Sequence, residues 1–77
     1  MPEGSWTVFL FAASSHALRA ERLCLEAGLE AKLIPVPRHL SSDCGLCLRL
    51  PGDQRGRAEA LLQDRKLLLE GIHDLED

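Results

Sequence analysis

The stretch PVPRHLSSDCGLCLRL, from Pro35 to Leu50, crowds Arg38, His39, Ser41, Ser42, Cys44 and Cys47 into one part of the chain. Each of these residue types has a definite chemistry. A cysteine thiolate is a nucleophile and a metal ligand. An imidazole moves protons near neutral pH, and an arginine holds anions. Serine hydroxyls are small donors, and Gly45, directly after Cys44, permits close backbone approach or a positive φ. The Cys-x-x-Cys spacing of Cys44 and Cys47 admits a reactive thiolate, a redox dithiol or half of a metal site. With both cysteines on one strand, their Cα atoms would lie about 10 Å apart, beyond the ~7 Å that a disulfide tolerates. Zinc would need two more ligands, with His16 and His39 the nearby candidates. This geometry favours a single working thiol, Cys44, with Cys47 a second thiol of open role and no metal or cofactor expected.

The elements that must position this stretch follow from periodicity. Trp6 to Phe11 is apolar on both faces and rich in aromatic and β-branched residues, as a central strand requires. Ser14 and Ser15 stand where a helix N-cap is expected. From His16 to Ala27, a stripe of Ala17, Ala20, Leu23, Cys24 and Ala27 predicts a helix that Gly28 stops. Cys24 on that stripe reads as a buried, inert thiol. Ala31 to Pro35 is a short strand, ended by Pro35 and Pro37. Leu46, Leu48 and Leu50 alternate with Cys47 and Arg49 in a half-buried strand. Pro51-Gly52 predicts a turn, Asp53 a cap, and Gln54 to Asp64 a second helix. Leu67 to Ile72 reads as a last strand, and His73 and Asp74 as its solvated end.

The order β-α-β-β-α-β predicts an α+β, ferredoxin-like domain over residues 1–77, an antiparallel sheet with two helices on one face. In that topology the first two strands run the same way, and the third pairs between them. The loop before Cys44 therefore lies beside the turn that feeds the first helix, which makes Ser14, Ser15 and His16 its expected neighbours. A helix N-terminus carries unpaired N–H groups and about half a positive charge. Such a place stabilises a thiolate or an anion, with Arg38 adding a cation.

Composition narrows the partners. With 77 residues there is room for one core at most. A net charge of −3 and 4% aromatic residues give neither a basic field nor stacking platforms for nucleic acid. The apolar run Trp6–Ala13 is too short to span a membrane, and no positively charged region precedes it. Three cysteines, an odd number, suit a reducing compartment, and the reading places the chain in the cytoplasm. Phe9, Leu33 and Cys47 are expected to make the open sheet face apolar enough to form a homodimer.

FAASSHALRAERLCLEAGLEAKLIPVPRHLSSDCGLCLRL resembles the small bacterial family of selenium/sulfur carrier-like proteins. The resemblance rests on Ser14 and His16, Ala20-Glu21, Ala27-Gly28, the Pro35-x-Pro37-Arg38 turn, Ser41-Ser42-x-Cys44-Gly45, Leu48-Arg49 and Glu70-Gly71-Ile72. It implies an accessory protein, not an enzyme, holding a persulfide or selenosulfide on Cys44. Its partners would be a donor such as a cysteine desulfurase and an acceptor. Cys47 departs from the pattern, where a small apolar residue is expected. Two other readings stay open: a module binding an anionic metabolite at the helix start, and a thiol metal or redox site on Cys44 and Cys47.

Overall fold

Alternation along the first strand sets the architecture. In a computed structural model describing residues 5–40 and 45–76, β1 spans Ser5–Leu10 and lies in the middle of a four-stranded sheet. Val8 and Leu10 are buried in one apolar cluster, Phe9 and Phe11 in another, so both sides of β1 are covered. β2 (Lys32–Pro35), β3 (Leu46–Pro51) and β4 (Gly71–Glu76) complete the sheet in the order β2-β3-β1-β4. All three pairings are antiparallel, with Leu10 opposite Cys47 and Gly71, and Ile34 opposite Cys47. α1 (Ser14–Glu26) and α2 (Arg55–Asp64) supply Ala17, Ala20, Cys24, Ala58 and Leu62 to the cluster that also holds Phe9, Leu48 and Leu50. This is the ferredoxin-like α+β arrangement expected from the element order.

Both helices end in the same way. After α1, Gly28 has φ +82°, Leu29 N–H donates to the Cys24 carbonyl at 2.9 Å, and Gly28 N–H donates to Leu25 at 3.0 Å. After α2, Lys66 takes φ +58°, with Leu67 N–H on the Leu62 carbonyl at 2.9 Å and Lys66 N–H on Gln63 at 3.0 Å. These are Schellman ends, which satisfy the last carbonyls of each helix.

Four local expectations are corrected. The last strand is Gly71–Glu76, not Leu67–Ile72. The Schellman end turns Leu67 back onto α2, where it is buried, and pairing begins only where Glu70 N–H reaches the Leu10 carbonyl at 2.7 Å. The helix before β2 starts earlier than expected: Ala13, extended at φ −144° and ψ 147°, is the N-cap, and Ser14 and Ser15 lie within the first turn. Asp53 is not the cap of α2, because a 3₁₀ turn over Gly52–Gln54 is already helical and Gln54 takes the N-cap position. Finally, Phe9 and Leu33 belong to the helix-side cluster. The open face carries Val8, Leu10 and Cys47, with Ile34, Val36, Leu40 and Leu75 packed against them.

Candidate functional site

Strand direction brings the chemistry-bearing segments to one end of the sheet. β1 finishes there at Leu10, β2 finishes at Pro35, and β3 starts at Leu46. The loop between β2 and β3 is closed at its base by Val36 N–H donating to the Gly45 carbonyl at 3.1 Å. Leu40 N–H donates to the Pro37 carbonyl at 3.0 Å, forming a turn through Arg38 and His39, both exposed. Gly45 has φ +74°, a left-handed conformation that favours glycine. Ser41, Ser42 and Cys44 lie outside the described residues. Cys44 is nonetheless bonded to Gly45, three residues before Cys47 in the sequence.

The other wall is the start of α1. Three residues after Leu10 the chain reaches Ala13, whose carbonyl accepts from His16 N–H at 3.0 Å and from Ala17 N–H at 3.3 Å. Ser14, Ser15 and His16 are exposed in this first turn. Among the described residues no side chain caps it, and no acidic residue stands in it. The amide groups and positive end of the helix are not cancelled by any described side chain of that turn. Among the described residues, no hydrogen bond or ion pair joins Arg38 or His39 to Ser14, Ser15 or His16. The two segments stand at the same end of the sheet.

Cys24 and Cys47 lie among the described residues. Cys24 is fully buried on α1, and desolvation pushes its thiol up to about 11 from an ordinary 9.0. Cys47 is also fully buried, among Val8 and Leu10, with its sulfur 4.0 Å from the Pro35 carbonyl oxygen toward which the thiol points. Cys47 is thus enclosed on the open face of the sheet. The positive φ of Gly45 stands just before the start of β3 at Leu46. Among the described residues, no three histidine, cysteine or acidic side chains gather closely enough to hold a metal. None of the described helices is long and apolar enough to cross a membrane.

The sequence reading missed the part played by Val36 and Leu40. These residues lean the stem of the loop onto the open face of the sheet, against Val8, Leu10 and Cys47. Leu40, an aliphatic residue inside a polar loop, was the signal for it. A groove of about 750 Å³ lies on the helix side, along edge strand β4, between α2 and the Leu67–Ile72 segment. Leu67, Leu68, Leu69 and Ile72 form its apolar lining, with Glu59 and Lys66 as ionisable groups. Its described lining holds no thiol or hydroxyl.

A βαββαβ sheet with Gly45 and the start of α1 at the same end defines a small α+β domain of ferredoxin-like topology. The chain belongs to the family described as "Putative Se/S carrier protein-like", which it matches over residues 7–74. No curated protein and no solved structure matches it.

Proposed function

We propose that the chain is a carrier, not an enzyme, and that Cys44 holds a sulfane sulfur or a selenium atom between a donor and an acceptor. The observation that carries this reading is family membership spanning both walls, from β1 through the loop and beyond. The physical support is the uncapped, acid-free first turn of α1 at the end of the sheet where the loop closes at Gly45. A thiolate near such a helix end is stabilised, and thiol–persulfide exchange needs an accessible thiolate.

In the proposed step the Cys44 thiolate attacks the terminal sulfur of a donor persulfide. A new S–S bond forms on Cys44, the donor's S–S bond breaks, and the donor leaves as a thiolate. The sulfane sulfur moves with no net oxidation. With selenium, the same exchange leaves a selenosulfide on Cys44. Gly45 lets the chain turn to present the sulfur, the α1 amides hold its negative charge, and Ser41, Ser42 and Arg38 add donors. His16 or His39 handles the proton. The 77-residue chain acts as one domain, and the chemistry belongs in a reducing compartment such as the cytoplasm.

The test is to incubate the protein with a cysteine desulfurase and cysteine, then weigh the intact chain by mass spectrometry. A gain of one sulfur atom is expected in the wild type, in Cys24→Ala and in Cys47→Ala, and is lost in Cys44→Ser. Sulfur that persists in Cys44→Ser, or that never appears, defeats the reading.

A second reading draws on the same uncapped turn. An anionic metabolite would sit on the α1 amides, with no role for the thiol. Thermal shift of Cys44→Ala against small carboxylates and phosphate separates the two: full retained binding favours the metabolite module.

A further inference from the structure

Register across the sheet produces a feature that strand-by-strand reading hides. Lys32 lies opposite Arg49, Arg49 opposite Val8, and Val8 opposite His73. Directly opposed residues of antiparallel strands share a face, and Val8 belongs to the open face. Lys32, Arg49 and His73 therefore form one row across all four strands, on the side away from the helices. In the next row Pro51, Trp6 and Leu75 stand side by side. The Arg49 guanidinium lies over the Trp6 ring, 4.3 Å from its centre. Its Nε is buried without a hydrogen-bond partner, a cost that a native structure rarely leaves standing. Among the described residues, no carboxylate pairs with Lys32, Arg49 or His73, and the described strand positions on this face carry no acid. A chain of net charge −3 has gathered basic side chains along one line.

We propose that this row docks an extended acidic segment of a partner protein. The span from the β2 position to the β4 position is three strand spacings, ~14 Å. An extended chain rises about 3.3 Å per residue, so carboxylates four residues apart span ~13 Å and meet both ends of the row. An intervening carboxylate lies beside the Arg49 guanidinium on the Trp6 ring. Two competing occupants fit less well. A second copy placed face to face sets cation against cation. A nucleic acid needs an open ring to stack on, and Trp6, the aromatic residue on this face, is already covered by Arg49. Docking here does not depend on what Cys44 carries. It would place the partner on the same face that the loop stem leans against through Leu40.

The experiment uses a fluorescein-labelled ten-residue peptide of alternating glutamate and serine, titrated with the full chain and followed by anisotropy. Saturable binding that weakens with added salt is expected. Lys32→Glu, at an exposed position where folding is not at risk, should weaken it about tenfold, as should Lys32→Gln combined with Arg49→Gln. Arg57→Gln, exposed on α2, should leave it unchanged. No binding, binding equally reduced by Arg57→Gln, or binding indifferent to Lys32→Glu overturns the proposal. So does a single-stranded oligonucleotide of equal charge that displaces the peptide more effectively, or self-association of the chain that Lys32→Glu abolishes.

Discussion

Cys24 is fully buried on α1, and its thiol is pushed up to about 11 by the loss of hydration around the thiolate. This makes stability depend on pH in one direction. Because the folded chain holds the proton more tightly than the unfolded chain, the Cys24 contribution is complete below pH 9.0. It falls as pH rises toward about 11. Urea titrations from pH 8 to pH 11 should show that decline in the wild type and a shallower one in Cys24→Ala. Alkylation of the native protein should spare Cys24 and Cys47, both fully buried, and modify Cys44 alone. Early labelling of Cys47 would show that its apolar cover is not in place. At Gly45, where φ is +74° and no described residue beyond its chain neighbours stands within 4 Å of an added Cβ, alanine meets strain from the backbone. Gly45→Ala should cost about 1 kcal/mol of stability by urea unfolding and slow sulfur loading on Cys44.

At the scale of elements, both ends of the helices carry information. α1 is preceded by Ala13 as its N-cap, an extended residue in a position where a serine or aspartate oxygen would accept from the first helical N–H groups. Ala13→Asp should raise stability by about 1 kcal/mol and, by placing a carboxylate at the amides, slow Cys44 alkylation at neutral pH. A faster thiol in that variant contradicts a role for the helix start in thiolate stabilisation. α2 ends on Lys66 at φ +58°, where glycine is the unstrained choice. Lys66→Gly should stabilise the chain by roughly 0.5–1 kcal/mol, read as a raised urea midpoint. Arg55 and Asp74, 3.2 Å apart, join α2 to β4 in an exposed pair. Most of these elements were legible: stripes at helical spacing gave both helices, and Gly28 gave the end of α1. The serine caps and the final strand were misread because a cap depends on where the preceding strand releases the chain. Leu67–Leu69 is a strand-like run only until a Schellman end folds it onto α2.

For the molecule as a whole, Leu40 links loop to sheet. It packs on the cluster of Val8, Leu10 and Cys47, residues that a bare open face would leave wet. Leu40→Ala should cost about 1–2 kcal/mol by urea unfolding and admit an alkylating reagent to Cys47. An unreactive Cys47 in that variant would show that other groups provide the cover. Local spacing in the sequence determined the α+β class, the element order, the burial of Cys24 and the placing of Ser14, His16 and Gly45 at one end, because periodicity and topology follow from neighbours along the chain. Tertiary structure alone decided which side of the sheet each strand residue faces. It moved Phe9 and Leu33 to the helix side, enclosed Cys47 and aligned Lys32, Arg49 and His73. Those assignments depend on register between strands far apart in sequence, and a shift of one residue would reverse every one of them.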